Sequence, residues 1–269
     1  MPAMLGWMRV KACLEGERML RSLLAFSRSA VVLGALALVQ ISSGAAADAH
    51  PDFSGVWTSY VEPGKPAFRD LRGRTEMPLT DAGKEKVAAY RKLMGTSGDN
   101  PGAHCLGSGM PESMMFSGGY PMEIIQRPEQ ITIIYEAHNE VRRLYFGTKI
   151  IPPGDRLPAR NGYSTAHWEG DTLVVETSSL KEQEDQVYAH SDQAQIVERY
   201  HQEMDARGTR VLVATWTLTD PVFYTKPFSS EKKWAFDPKG ILLPYECDEE
   251  TWLDHLEDLK SGKSSQKTY

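Results

Sequence analysis

From residue 52 onward most of the chain reads as short runs in which apolar and polar side chains alternate, broken by Gly, Pro, Asn and Asp. A repeat of two belongs to a half-buried β-strand, whose side chains point alternately to its two faces. The pattern predicts nine strands: FSGVWTSYV (53–61), PMEIIQR (121–127), QITIIYEAH (130–138), VRRLYFG (141–147), STAHWE (164–169), TLVVETSS (172–179), QIVERYHQEM (195–204), TRVLVATWTLT (209–219) and KKWAFD (232–237). Tight turns, RPEQ, HNE, GD and ARG, join several of them, so the sheet is predicted to be largely antiparallel. Helical spacing predicts two helices. In 80–94 Thr80 or Asp81 stands at the N-cap, and Val87, Tyr90, Leu93 and Met94 form the apolar stripe; the second helix is EETWLDHLEDLK (249–260).

These elements predict a mainly β fold: an antiparallel barrel of eight to ten strands, calycin- or lipocalin-like, with two flanking helices. Closure removes the exposed sheet edges, and a barrel of this size is wide enough for one small ligand. A β-sandwich is the alternative. The Gly-, Pro-, Ser- and Met-rich stretch before the second strand is too polar for core and too long for a plain connection, so it is expected to form a lid or mouth loop.

The hairpin HWEGDTLVVE (167–176) has a fixed parity whichever two residues make its turn. Ser164, Ala166, Trp168, Leu173, Val175 and Thr177 share one face, the apolar one. Thr165, His167, Glu169, Thr172, Val174 and Glu176 share the other. His167 and Glu176 are thus expected as neighbours outside, where an exposed cross-strand pair explains them without chemistry. The strand 195–204 differs, because Ile196, Glu198, Tyr200 and Gln202 oppose Val197, Arg199, His201 and Glu203, and neither face is apolar. One of these sets must therefore face a polar cavity or a buried ion pair, with Arg199 against Glu198 or Glu136 as the expected pair. Just upstream, YAHSDQ (188–193) gathers Tyr188, His190, Ser191 and Asp192 on a loop.

Three chemistries fit these residues unequally. A Ser191 hydrolase triad lacks a GxSxG elbow, and adjacent His190 and Ser191 cannot easily meet in hydrogen-bond geometry. A metal site from His167, His190 and His201 with Glu176 or Glu136 has no compact ligand spacing. Proton transfer needs only a shifted His or carboxylate beside a hydrophobic substrate. No phosphate loop, dinucleotide fingerprint or CxxC is present, so no cofactor is expected.

Composition is that of an ordinary globular chain of 269 residues, and the net charge of −6 argues against a nucleic-acid or anionic-membrane partner. Arg18, Arg21 and Arg28 precede AVVLGALALVQI (30–41) and SSGAAADA, the pattern of a secretory signal peptide over 1–49. The apolar run is short for a bilayer span of roughly 20 residues, with a single N-terminal anchor as the alternative. Residues 50–269 then form one exported domain, periplasmic or secreted, with no membrane contact after cleavage. It would keep Cys105 and Cys247, which in an oxidising compartment suggest one disulfide, two free thiols being the alternative.

GVW (55–57) resembles the Gly-x-Trp that opens lipocalin-like barrels. More broadly, PDFSGVW (51–57), CLGSGMP (105–111), YPMEIIQ (120–126), IIYE (133–136), SxAxWEGDTLVVET (164–177), HSD (190–192), VERY (197–200), DPVFYTKP (220–227) and YECDE (245–249) resemble a widespread family of exported, mostly uncharacterised bacterial proteins. The resemblance spans most of 51–250. It implies that Cys105 and Cys247 are family features and that His190, Glu198 and Arg199 sit in a shared motif. The function expected is a cofactor-independent lyase, isomerase or hydrolase acting on a small hydrophobic or aromatic molecule. His190 would move the proton, with Glu136 or Glu198 as its partner and Arg199 or Tyr200 stabilising negative charge. The alternative is a non-catalytic carrier for such a molecule.

Overall fold

In the computed structural model, residues 50–64, 77–95, 100–116, 119–245 and 250–262 are described, and they belong to one compact unit, Asp48–Tyr269. Residues 1–49, expected from the sequence to be a signal peptide, and Cys247 lie outside the described residues. Nine strands close into a barrel in sequence order: β1 (Gly55–Ser59), β2 (Met122–Arg127), β3 (Gln130–Tyr135), β4 (Glu140–Tyr145), β5 (Tyr163–Glu169), β6 (Thr172–Ser178), β7 (Gln195–Met204), β8 (Arg210–Thr219) and β9 (Phe228–Asp237). Every strand read from the alternation is present. β9 begins earlier than KKWAFD, because Ser229 and Glu231 face out and leave too few apolar positions to mark its first half.

One pair departs from the expected antiparallel rule. β4 and β5 run parallel, with Leu144 opposite Ser164 and Tyr145 opposite Thr165. The segment 146–162 carries Pro152, Pro153 and Pro158, which favour extended backbone, and it returns the chain to the end of the barrel from which β4 started. Ile151 donates its N–H to the Tyr163 hydroxyl at 2.7 Å, fastening that return. All other neighbouring strands are antiparallel. In consequence the β1–β2, β3–β4, β6–β7 and β8–β9 connections gather at one end, and the tight turns of β2–β3, β5–β6 and β7–β8 close the other.

At the closed end Trp57 is fully buried, and its indole donates 2.8 Å to the Phe53 carbonyl. The Arg210 guanidinium lies over both the Trp57 and Phe236 rings, so an aromatic sandwich seals the floor. Two helices flank the barrel as expected, α1 (Asp81–Met94) and α3 (Glu250–Lys260), with a third between them, α2 (Glu112–Met115). Thr80 caps α1 through its side chain, which accepts from the Gly83 N–H at 3.1 Å. The same hydroxyl donates 2.6 Å to the Val222 carbonyl, tying the helix start to the β8–β9 connection.

Candidate functional site

The hairpin parity is as the sequence predicts. Ala166, Leu173, Val175 and Thr177 are buried inside the barrel, whereas His167, Glu169 and Glu176 are exposed outside. His167 meets Glu169 at 3.3 Å rather than Glu176, since its cross-strand partner is Val174. That pair is a solvated contact on the outer wall.

β7 turns Ile196, Glu198 and Tyr200 inward, and here the expected ion pair needs correction. Arg199 is on the outer face, where it donates to Glu169 at 2.5 Å. The cation that meets Glu198 is Arg142 of β4: Nη1 donates to Oε2 at 2.8 Å and Nη2 to Oε1 at 2.7 Å. Both side chains are essentially without solvent contact. Arg142 also donates to Ser164 Oγ and Thr177 Oγ1, and Tyr200 donates to Glu198 Oε2 at 2.6 Å. Four strands thereby close one polar network inside an apolar barrel. Burial works against the Arg142 charge, but Glu198 beside it more than offsets this and raises its pKa. Burial, then the Glu198 charge, holds the Tyr200 phenol well above its ordinary range. Arg142 could have been found in the sequence, because Leu144 two residues on is an inward apolar position and puts Arg142 on the same face. The adjacent Arg143 obscures that signal.

Glu136 does not join this network. It starts the turn after β3, where its carboxylate accepts from the Leu243 N–H at 2.7 Å, fixing the C-terminal strap to the barrel rim. Ser191 is turned to Asp220, donating through Oγ at 2.8 Å and through its N–H at 2.6 Å. Its hydroxyl is thus committed to an acid rather than to His190, so no hydrolase triad forms there.

His190 is fully buried, as befits a chemical role or a structural one. Its Nδ1 lies 2.9 Å from the Tyr188 carbonyl, and a carbonyl can only accept. Nδ1 must therefore carry the hydrogen, which leaves Nε2 as a lone pair, and no partner satisfies it among the described residues. Burial pushes the His190 pKa below its ordinary 6.5, against the opposing Tyr188 carbonyl. The unfolded chain then binds this proton more readily than the folded one. Stability conferred by the neutral imidazole is complete above pH 6.5 and is lost as pH falls through the lower folded-state value. We expect unfolding free energy to decline below pH 6.5 with a contribution of up to about 1.4 kcal/mol per pH unit from this residue. Urea melts of the protein and of His190→Gln across pH 4.5–7.5 measure it: the variant should have the shallower slope.

The loop-bearing end is covered by the 105–116 segment. Glu140 accepts from the Gly109 N–H and from Ser113 Oγ, at 2.9 and 2.5 Å. Arg160, Gln183 and Gln186 donate to carbonyls of Gly107, Ser108 and Met110. Gly109 has φ +75°, and a Cβ there would stand 2.7 Å from the Arg160 carbonyl, so the turn needs glycine. Held in this way, α2 sends Met114 and Met115 into the barrel. Met114 Sδ sits 3.4 Å from Tyr200 Oη, and Met115 Sδ accepts from the Trp216 indole N–H at 3.1 Å. Trp216 belongs to one cluster of rings with Phe116, Tyr188 and Phe228, Tyr188 meeting Trp216 edge-on at 5.0 Å. The sequence showed this stretch as a lid but not its short helix, because four residues between Pro111 and Phe116 are too few to carry a period.

A concavity of roughly 370 Å³ lies on the outer face of β7–β9, lined by Val197, Arg199, Thr215, Thr217, Ser229 and Glu231. Among the described residues no cluster of His, Cys, Asp and Glu is arranged to hold a metal, and no helix is long and apolar enough to cross a membrane. Comparison with protein-family models, with curated proteins and with solved structures finds no match for this chain.

Proposed function

We propose that the chain is an exported barrel that binds a small hydrophobic or aromatic molecule at its loop-bearing end. The observation that carries this reading is the plug: two unbranched, adaptable methionines occupy the barrel mouth among aromatic rings, held by a loop rather than by the barrel wall. A ligand that took their place would meet Tyr188, Trp216 and Phe228 as an apolar box. The test is thermal unfolding against a panel of aromatic and aliphatic compounds. Binders should raise the midpoint, whereas a panel without any shift would count against the reading.

A second reading, proton-transfer catalysis, is favoured by the wiring of His190, whose unpartnered Nε2 is a neutral base. Its test is incorporation of solvent deuterium at an acidic C–H of a bound compound, present with the wild-type protein and lost in His190→Gln. Incorporation that survives the substitution would exclude His190 as the base.

Export to the periplasm or beyond, and membership of the family with the PDFSGVW and WEGDTLVVET motifs, are part of the same proposal and rest on the sequence. So does a Cys105–Cys247 disulfide. Its geometry is supported by the strap two residues before Cys247: Tyr245 accepts through its carbonyl from Asn139 and packs edge-on against His138, which also adjoins Gly102 in the turn before Cys105. Alkylation of the denatured, unreduced protein should label neither cysteine. Labelling of both would refute the bridge.

A further inference from the structure

Met115 holds two groups of the barrel wall at once. Its thioether accepts from Trp216 Nε1, and its carbonyl accepts from Lys232 Nζ at 3.3 Å. Trp216 and Lys232 lie on neighbouring strands: Trp216 pairs with Ser230 and Ala214 with Lys232, so the two side chains are diagonal neighbours on the inward face. Both present hydrogen-bond donors to one residue of the plug, and a thioether is a weak acceptor for an indole N–H. Among the described residues the ammonium has one other hydrogen-bond acceptor, Ser59 Oγ at 3.3 Å, and the Trp234 ring at 5.9 Å.

Charge separates this pair from the polar network on the adjoining inward wall, where Glu198 is the cross-strand partner of Trp216. There Arg142 is neutralised by Glu198, and Tyr200 commits its single proton to the same carboxylate at 2.6 Å, closer than the 3.4 Å to Met114. Lys232 has no such partner, since among the described residues no carboxylate pairs with it. A half-buried ammonium without a counter-ion is expensive, and burial accordingly lowers its pKa. Lys232 therefore faces the interior without a counter-ion among the described residues, with aromatic walls beside it.

We propose that Lys232 and the Trp216 indole N–H form the anion-binding end of the ligand site, and that the ligand is a small apolar or aromatic carboxylate that replaces Met115. One carboxylate oxygen would accept from Lys232 and the other from Trp216, while the apolar body lies against Tyr188 and Phe228. This inference rests on the binding reading above and specifies the head group.

The experiment compares 4-phenylbutyrate and laurate with their methyl esters by calorimetric titration of the full chain. In the wild-type protein each acid should bind about tenfold or more tightly than its ester, the effect of one hydrogen bond to a charged group. Lys232→Met keeps the apolar stem; it should bring the acids down to the ester level. Lys232→Arg should retain the preference, and Trp216→Phe should weaken the acids more than their esters. Equal affinity for acid and ester in the wild type, or a preference that survives Lys232→Met in a protein with unchanged circular dichroism, would overturn the anion assignment. Binding of neither acid nor ester would overturn the mouth as a ligand site and the assignment with it.

Discussion

Arg142→Met is expected to lower the unfolding free energy of the domain by about 3–5 kcal/mol. The substitution retains an unbranched stem but removes the cation paired with Glu198, leaving a carboxylate with 0% side-chain exposure. It also strips donors from Ser164 and Thr177. The converse substitution, Glu198→Leu, isolates Arg142 and should cost about as much. The double variant Arg142→Met/Glu198→Leu removes both charges together and should recover most of the loss, because an ion pair with no access to water is worth little against apolar side chains of similar volume. Urea denaturation of the four proteins closes the cycle. A double variant as unstable as the sum of the singles would show that the pair contributes through something other than mutual neutralisation.

Asp220→Ala is expected to cost about 3–4 kcal/mol, from several buried donors at roughly 1 kcal/mol or more each. The carboxylate accepts from the N–H groups of Ser191, Val222 and Phe223 and from Ser191 Oγ. It thereby binds the loop before β7 to the loop before β9, and His190 and Tyr188 are held in the first of these. The loss should be visible locally as well as globally. Amide exchange at Ser191, Val222 and Phe223 should accelerate more than at β8, where the ladder is intact. Uniform acceleration across the barrel would mean that Asp220 is not a local clasp.

The barrel could be read from the sequence because its strands obey a single rule, burial of every second side chain, and because tight turns fix the register of most hairpins. Trp168, Leu173 and Val175 are where that rule puts them. The parallel β4–β5 pair could not be read in this way, since its register depends on the path of 146–162 and not on any local turn. The site was legible by half. The polar inward face of β7 announced a buried ionic partner, and Glu198 and Tyr200 are in it, but the natural candidate from the neighbouring position, Arg199, points the other way by the same alternation. Arg142 was hidden because it stands beside Arg143, and a pair of like residues conceals which of them faces in. Lys232 was hidden for the same reason beside Lys233. Its isolation from carboxylates is a property of three strands and a lid that no short stretch encodes.

The barrel mouth, closed by Met114 and Met115, is the proposed binding place of a small apolar molecule. The most direct measurement is a methyl spectrum of protein labelled at methionine, titrated with a compound that raises the thermal midpoint. At saturation, with ligand at about a hundred times its dissociation constant, that midpoint should rise by roughly 5–10 °C. The Met114 and Met115 methyls should then leave the shifts imposed by the surrounding aromatic rings, while exposed Met204 near the closed end stays unchanged. A stabilising compound that leaves both methyls in place would contradict the account and direct attention to the outer groove on β7–β9.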